Sequence, residues 1–385
     1  MTSEPPPRHG SQYQKPQDIV PSSLAPFRQY HLSKMTLHVD PDTDSSSTLS
    51  SSSSDSMSSF RTHHPAFHRV VGPNPTLDLL LTHEVYPFAH EAGVFFPSTR
   101  ELFITSNRVH DKQGAQSVHI TRVTLDIDDA SPSRHEISPN AIHMANGGVN
   151  YRSDNILFCA QGSATSPAGL YTMSRAAPHG VEPLLTSLHG VPFNSLNDVV
   201  VAADGSIWFT DPPYGAEQGY RPPPALPPHV YRFDPATGAV RAVADGLGHP
   251  NGLCFSPDER VLYVTDTDKV HGSGACRFTR PSSIYAFDVQ HHHGQPFLCN
   301  RRLFAYAEVG IPDGIKCDAE GNVYSGCGDG VHVWSPGGVL LGRILVPGGA
   351  ANFCFGAGGE MYILNEHRLW KAKLDPGVRG ALLGV

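Results

Sequence analysis

The chain has 385 residues and a formal net charge of −8, from 28 Lys and Arg against 36 Asp and Glu. It contains no block of Lys or Arg, so its electrostatics do not support binding to nucleic acid or to anionic membrane. Its 37 Gly and 34 Pro, with only 17% charged residues, indicate an all-β protein with many turns.

The first sixty residues differ in composition from the rest of the chain. They are rich in proline and then, over residues 45–59, in serine, with few apolar residues to offset the entropy of ordering. We therefore predict a disordered tail over residues 1–60 and a folded domain over residues 61–385. No apolar signal-peptide core and no bilayer-spanning apolar stretch is evident, so we expect a cytoplasmic location without membrane contact.

Two short apolar segments open the predicted domain. Residues 68–71 and 77–81 have the β-branched and aliphatic composition of strands. We expect these early strands to close the fold against its last repeat, so that no sheet edge is left exposed.

A short pattern then recurs six times. Each copy begins with a carboxylate or amide side chain, continues as a β-rich run, turns, and ends in a second β-rich run. We call the first polar residue of each copy its opener. The openers are Glu91, Asn146, Asn197, Asn251, Asp313 and Asn352.

The spacing of the openers, about 40 to 60 residues, is typical of the blades of a β-propeller. Further β-rich runs lie between the hairpins, at residues 229–235, 283–289 and 330–336, and would supply outer strands. We therefore predict an all-β, six-bladed β-propeller with a disordered N-terminal tail.

The openers predict the chemistry, because the innermost strand of each blade runs beside the central channel. Taken singly, an Asn or Asp beside Gly is more often a turn former or strand cap than a ligand, but six at one topological position favour a shared site. Hard oxygen donors favour Ca²⁺, Mg²⁺ or Mn²⁺, and a large coordination shell favours Ca²⁺. The predicted donors are Glu91, Asn197, Asn251 and Asp313.

Three longer runs resemble one known family. They are NSLNDVVVAADGSIWFTDPPYG at residues 194–215, HPNGLCFSPDERVLYVTDT at 249–267 and IPDGIKCDAEGNVYSGCGDGVHVWSPGGVLLGRI at 311–344. Over roughly residues 85–372 the chain is similar to the gluconolactonase, regucalcin (senescence marker protein) and luciferin-regenerating-enzyme family, especially to its gluconolactonases and fungal-type lactonohydrolases. This resemblance implies a six-bladed β-propeller with one divalent cation in the channel, usually Ca²⁺, with Zn²⁺, Mn²⁺ and Mg²⁺ as alternatives.

The resemblance also implies roles for single residues. Asp198 matches the family's candidate carboxylate for proton transfer and substrate binding. Where many members have Gly-Pro after the first ligand, this chain has Ala92 and Gly93, so the residues on the substrate side differ. The cation ligands implied by the resemblance are Glu91, Asn197, Asn251 and Asp313.

Other polar residues beside these motifs are candidates for substrate binding. His90 precedes Glu91, Tyr214 lies in the DPPYG run, and Asn146 is the second opener. A histidine at a strand start is more often held by backbone, and packing is an equal alternative for Tyr214. The expected substrate-binding residues are Asn146, Asp198, His90 and Tyr214.

These residues predict a metal-dependent hydrolase that opens a sugar lactone or another small lactone, with Asp198 and Asp313 as catalytic residues. Asp198 would act as general base, and its alternative role is to orient Asn197. The sequence contains no GxSxG, HExxH or P-loop motif. It therefore lacks the residues that define serine hydrolases, zincin metalloproteases and P-loop nucleotide hydrolases.

Two alternatives remain for the function of the whole protein. The first is another reaction at the same site, such as phosphotriester hydrolysis or a tailoring step on a secondary metabolite. The second is a non-catalytic, calcium-binding propeller. The partner that we expect is a small-molecule lactone, and the expected oligomeric state is a monomer.

Overall fold

A computed structural model of the protein describes residues 59–125, 131–137 and 142–384. The predicted disordered tail, residues 1–60, lies outside the described residues apart from Ser59 and Phe60. Strands predominate in the described part of the chain. Its two α-helices have five and four residues, which is too short to cross a membrane.

The described chain begins with a strand, a helix and a second strand. These are β1 (Phe60–Thr62), α1 (Phe67–Val71) and β2 (Thr76–Thr82). The prediction of a strand over residues 68–71 is wrong, and that of a strand over residues 77–81 is confirmed. Phe67, Val70 and Val71 are the buried residues of α1, and their spacing of three and four residues places them on one helical face.

Six antiparallel sheets follow, and they are the blades of a β-propeller. Blade one contains β3 (Glu91–Phe96), β4 (Glu101–Thr105), β7 (Ile120–Thr124) and β8 (Ser133–Glu136), with a small hairpin of β5 (Val109–His110) and β6 (Gln116–Ser117). Blade two contains β9 (Ala145–Tyr151), β10 (Asn155–Ala160), β11 (Gly169–Ser174) and β12 (Val181–Leu185), followed by a hairpin of β13 (Ser187–Leu188) and β14 (Val191–Pro192). Blade three contains β15 (Val199–Val201), β16 (Ile207–Asp211), β17 (His229–Asp234) and β18 (Ala239–Ala244), with α2 (Tyr214–Glu217) between its second and third strands.

The last three blades repeat this order. Blade four contains β19 (Pro250–Phe255), β20 (Val261–Asp266), β21 (Ser283–His292) and β22 (Gln295–Tyr306). Blade five contains β23 (Ile315–Cys317), β24 (Val323–Cys327), β25 (Gly330–Trp334) and β26 (Leu340–Leu345). Blade six contains β27 (Asn352–Phe355), β28 (Glu360–Asn365) and β29 (Arg368–Lys373), with a 3-10 turn at Ala357–Gly359. The predicted six-bladed propeller is therefore confirmed.

The blades close into a ring in two ways. The first strand of each blade contacts the first strand of the next, and β27 of blade six contacts β3 of blade one. In addition, β2 pairs with β29 as the outermost strand of blade six, so a strand that precedes blade one completes the last blade. The expected closure by an early strand is thus confirmed, and β1 adds a fifth strand to blade five.

The core is divided among the six interfaces between neighbouring blades. Each interface holds one cluster of buried apolar side chains. At the interface of blades three and four, for example, the rings of Trp208 and Phe255 meet edge to face with centroids 5.4 Å apart. At the interface of blades five and six, α1 adds Phe67 to the cluster. Burial of these side chains between blades fixes the positions of the innermost strands.

Glycine follows three of the openers, as Gly147, Gly252 and Gly314, where neighbouring strands approach closely. A Cβ atom at Gly314 would lie 2.3 Å from the side chain of Asn352, the opener of the next blade. A Cβ atom at Gly147 would lie 2.5 Å from Asp198 Oδ1, and one at Gly252 would lie 2.6 Å from the backbone oxygen of Asp313. Gly147 and Gly252 lie inside innermost strands, so these Asn-Gly pairs are not turns. The three glycines allow the opener of the next blade to lie directly alongside.

We expect Phe67→Ala to lower the free energy of unfolding by about 3–5 kcal/mol, because it removes a fully buried ring from between two blades. Denaturant unfolding measures this change. The matched control is His68→Ala in the same helix, whose side chain is exposed, and its effect should stay within about 0.5 kcal/mol. Equal effects of the two substitutions would contradict the packing role of α1.

Candidate functional site

All six openers lie at or beside the start of an innermost strand. Five of them are buried, and Asp313 is partly exposed. Glu91 and Asn352 begin β3 and β27, Asn146 and Asn251 are the second residues of β9 and β19, and Asn197 and Asp313 stand two residues ahead of β15 and β23.

Hydrogen bonds connect openers of neighbouring blades. Asn352 Nδ2 donates to Glu91 Oε2 at 2.7 Å, which joins blade six to blade one. Asn146 Nδ2 donates to the backbone oxygen of Asn197 at 3.1 Å. The Asn251 side chain lies close enough to the Asp313 carboxylate to oppose part of the rise in its pKa that burial causes. The structure therefore brings the predicted ligand residues and Asn146 together around one channel.

A threonine near the end of the second strand of a blade holds the opener of the next blade. Its hydroxyl donates to the backbone oxygen of that opener, as Thr105 does to Asn146 (3.0 Å), Thr210 to Asn251 (2.6 Å) and Thr265 to Asp313 (3.1 Å). The sequence analysis missed these residues. The repeated threonine in FITS, WFTD and YVTD was a visible sign of them.

The site concentrates negative charge away from water. Burial, then the charge of Asp313, raises the pKa of Glu91 to about 8. Burial also raises the pKa of Asp313 to about 6, although the positive charge of His90 opposes the shift. The ionised forms of carboxylates that lie this close together are unfavourable unless a positive charge lies between them.

Two oxygen atoms of the site lack a donor. Among the described residues, no hydrogen-bond donor reaches Asn197 Oδ1 or Asp313 Oδ1, and both atoms are buried. A buried acceptor without a partner is costly unless a cation or an ordered water satisfies it. The donor set of Glu91, Asn197, Asn251 and Asp313 therefore fits a hard divalent cation, and the role of these residues as ligands stays a prediction.

Asp198 lies beside this set with its carboxylate held by backbone. Its Oδ1 accepts the Val199 N–H at 2.9 Å, and its Oδ2 accepts the Leu253 N–H of blade four at 3.4 Å. Burial raises the pKa of Asp198, and the charge of Lys316 opposes that shift. Among the described contacts, none joins this carboxylate to the Asn197 side chain. The alternative role, orientation of Asn197, therefore has no direct hydrogen bond to act through.

His90 is held in place by an acidic partner. Its Nδ1 lies 2.8 Å from Glu366 Oε1, and Asn107 Nδ2 donates to the same carboxylate. Burial alone would lower the pKa of His90, but Glu366, followed by Glu91 and Asp313, raises it to about 10. His90 thus carries positive charge beside the carboxylates of the site.

Tyr214 is the first residue of α2 and reaches the same site. Its hydroxyl is hydrogen-bonded to Thr267 Oγ1 and lies near the Asn251 side chain. Burial raises its pKa above the usual range, so the hydroxyl stays protonated. Two of the four predicted substrate-binding residues, His90 and Tyr214, are therefore next to the predicted ligands, and their contact with substrate stays a prediction.

Two polar residues of the site were given no role by the sequence analysis. Asn352 was identified as an opener, and its contact with Glu91 depends on closure of the ring. Glu366 is a single acidic residue between β28 and β29, and it meets His90 from the far end of the chain. No local pattern in the sequence marks either contact.

A second group of metal-ligating side chains lies close by. The ligand atoms of Glu217, His249 and His271 fall within 4.8 Å of one another. Glu217 ends α2, His249 immediately precedes β19, and His271 follows β20. Two of the three residues lie in long connections without a counterpart in the other repeats, so periodicity did not indicate them.

A cavity of about 350 Å³ lies farther along the innermost strands. Its walls include Val201, Lys316 and Phe355, with residues 380–383. None of the predicted ligands or substrate-binding residues lines it. The candidate site is therefore confined to the end of the channel where the innermost strands begin.

Comparison with known proteins agrees with this arrangement. Residues 82–366 match the SMP-30/Gluconolactonase/LRE-like region. Lactonohydrolase oryL of Aspergillus oryzae is 31% identical over 313 residues, covering 76% of this chain and 68% of that protein. The gluconolactonase of Zymomonas mobilis is 31% identical over 202 residues, covering 48% and 51% of the two chains. A solved gluconolactonase from Xanthomonas campestris superposes with a TM-score of 0.65 at 29% identity, covering 83% of this chain and 96% of that one. The chain therefore belongs to the SMP-30/gluconolactonase/LRE-like family.

Proposed function

We propose that this protein is a metal-dependent lactonase that hydrolyses a sugar lactone or another small lactone. The observation that carries the proposal is a pair of buried oxygens, Asn197 Oδ1 and Asp313 Oδ1, which no donor of residues 59–125, 131–137 or 142–384 reaches and which lie beside the carboxylate of Asp198. Relatives named lactonohydrolase and gluconolactonase support the choice of reaction.

The cation would be held by oxygen donors alone. The structure offers two carboxylates and two amides in the channel, which suits Ca²⁺ better than a softer ion. When bound, a divalent cation supplies positive charge that polarises the lactone carbonyl and stabilises the oxyanion of the tetrahedral intermediate. The proposed ligands are Glu91, Asn197, Asn251 and Asp313.

Asp198 is the proposed general base. A water molecule adds to the carbonyl carbon, and one of its protons passes to the Asp198 carboxylate. Collapse of the tetrahedral intermediate breaks the ring C–O bond, and the same proton then goes to the departing alkoxide to give the hydroxy acid. The N–H groups of Val199 and Leu253 hold the carboxylate in a fixed orientation, so little reorganisation is needed during the transfer.

Three further residues are proposed to bind the substrate. The Tyr214 hydroxyl and the Asn146 amide offer hydrogen bonds to ring oxygens or hydroxyls of a lactone. The charge of His90, maintained by Glu366, favours the oxyanion over the neutral carbonyl. These contacts lie on different blades, so they would fix the lactone from more than one side.

We expect activity to require both the cation and the charge of Asp313. Chelator-stripped protein should be inactive and should regain lactone opening, followed by acid release, when Ca²⁺ is restored. Asp313→Asn keeps the size of the side chain but removes its charge, and should lower kcat/KM by at least about 100-fold. The panel would run from glucono-1,5-lactone to aromatic lactones.

Asp288→Asn is the matched control for this substitution. Asp288 lies on β21 and pairs with Asn300 and Arg302 at the surface, so its replacement should leave kcat/KM unchanged. Full activity of the stripped protein would contradict the metal requirement. Stoichiometric calcium binding without turnover of any lactone would favour a non-catalytic propeller.

Asp198→Asn separates the two roles considered for this residue. If Asp198 is the general base, kcat should fall by about 10²–10⁴-fold while calcium affinity and KM change little. Isothermal titration calorimetry with Ca²⁺, combined with steady-state kinetics, measures both quantities. A loss of calcium affinity as large as the loss of kcat would instead assign Asp198 to the support of the cation site.

Gly147→Ala tests the close approach between blades two and three. The added Cβ would press on Asp198 Oδ1 and on the backbone of Asn197, so we expect a loss of kcat/KM of at least about tenfold. Gly180→Ala is the control, because Gly180 is exposed and its Cβ would meet nothing within 4 Å. Equal activity of the two variants would show that Asp198 tolerates displacement.

A further inference from the structure

Four side chains form a compact group next to the proposed calcium site. We call Glu217, His249, Asp268 and His271 the histidine cluster. His249 and Asp268 are buried, at 4% and 2% exposure, whereas Glu217 and His271 are partly exposed. The cluster is distinct from the openers, although His249 is only two residues from Asn251 and α2 carries both Tyr214 and Glu217.

His249 lies between two carboxylates. Its Nδ1 is 2.9 Å from Asp268 Oδ1, and its Nε2 is 2.9 Å from Glu217 Oε1. Ionised carboxylates only accept hydrogen bonds, and a neutral imidazole has a single N–H to donate. One of the two nitrogens therefore needs a further positive charge, either an added proton or a metal ion.

His271 faces the same two carboxylate oxygens. Its Nδ1 is 3.2 Å from Glu217 Oε1 and its Nε2 is 3.2 Å from Asp268 Oδ1. Neither approach has the geometry of a hydrogen bond, and Nε2 is a buried atom with no hydrogen-bond partner among the described residues. Hydrogen bonding alone thus leaves both imidazoles incompletely satisfied.

The carboxylates themselves are anchored from outside the cluster. The Gly272 N–H donates to Glu217 Oε2 at 2.6 Å, which leaves Oε1 directed at the histidines. Arg280 Nη2 lies 2.6 Å from Asp268 Oδ2, which leaves Oδ1 beside His249. Asp268 Oδ1 is thereby placed to accept a hydrogen bond from Nδ1 of His249, the ring nitrogen that points away from Glu217. Metal-binding histidines commonly have such a carboxylate partner.

We propose that the histidine cluster binds one transition-metal ion of the zinc class, through His249 Nε2, His271 Nδ1 and Glu217 Oε1. Two imidazoles and one carboxylate are a donor set that suits Zn²⁺ and leaves a fourth position for water. Tetrahedral bonds of about 2.0–2.1 Å place donor atoms roughly 3.3 Å apart. The separations of 2.9 and 3.2 Å from Glu217 Oε1 are close to that value. Ca²⁺ would be disfavoured, because it prefers six to eight oxygen ligands.

The test begins with protein stripped by chelator and then saturated with Ca²⁺. Titration calorimetry with ZnCl₂ should detect one zinc ion per chain in the presence of excess calcium. Co²⁺ in place of zinc should give the intense visible bands of a four-coordinate site with nitrogen ligands. Absence of saturable zinc binding, or zinc binding that calcium abolishes, would overturn the proposal. Protons rather than a metal would then satisfy the histidines.

Variants assign the site to this cluster. His271→Ala should abolish the visible cobalt bands, and Asp268→Asn should weaken zinc affinity by about 10–100-fold. His292→Ala, at an exposed histidine on β21, is the matched control and should bind zinc as the unchanged protein does. Calcium titration of each variant separates loss of the zinc site from loss of folding. Zinc affinity equal in His271→Ala and His292→Ala would contradict the assignment.

This inference is independent of the lactone chemistry. Its readouts are metal stoichiometry and cobalt spectra, which stay informative even if no lactone is turned over. Conversely, a calcium-dependent lactonase without a zinc site would overturn this inference alone.

Discussion

Three carboxylates lie around one channel, Glu91 and Asp198 buried and Asp313 partly exposed, and their mutual repulsion is the constraint that the surrounding structure satisfies. Asn352 donates to Glu91, His90 adds positive charge beside Glu91 and Asp313, and Lys316 opposes the raised pKa of Asp198. These partners do not complete the neutralisation, since the pKa of Glu91 is still raised to about 8. Two acceptor atoms, Asn197 Oδ1 and Asp313 Oδ1, also have no donor within the described parts of the chain. The channel therefore keeps an excess of negative charge, and a divalent cation bound there would offset it.

The propeller can hold these groups together because its innermost strands approach each other unusually closely. Glycine after Asn146, Asn251 and Asp313 removes the Cβ atoms that would push the next opener away. Threonine hydroxyls at the ends of second strands then fix the backbone of the following opener. Each opener is consequently positioned by two blades rather than by one. Apolar packing between blades supplies the stability that offsets the cost of burying the polar channel.

The sequence predicted the fold well because the repeats have a strict local pattern. Six hairpins, the number of blades and closure by residues 77–81 all follow from β-rich runs at regular intervals. The local pattern gave a wrong prediction for residues 68–71, because Val70 and Val71 are typical of a strand. In the structure these residues belong to the helix α1, and together with Phe67 they form the helical face that packs between two blades. The contacts of Asn352 with Glu91 and of Glu366 with His90 were not predictable, because they join opposite ends of the chain through ring closure. Glu217, Asp268 and His271 of the histidine cluster were not predicted, since they lie in connections that do not repeat.

The two proposed metal sites differ in origin as well as in chemistry. Oxygen donors occupy a position that every blade repeats, whereas the histidines and Glu217 come from α2 and from loops that belong to single blades. The short helix α2 joins the two, because Tyr214 and Glu217 are three residues apart and so lie on one side of it. Tyr214 lies near Asn251, and Glu217 contacts His249, which is two residues before that same asparagine. An ion that fixes Glu217 would therefore also fix Tyr214 against Asn251, a proposed ligand of the channel cation. By linkage, if the first ion changes the affinity for the second by some factor, the second ion changes the affinity for the first by the same factor.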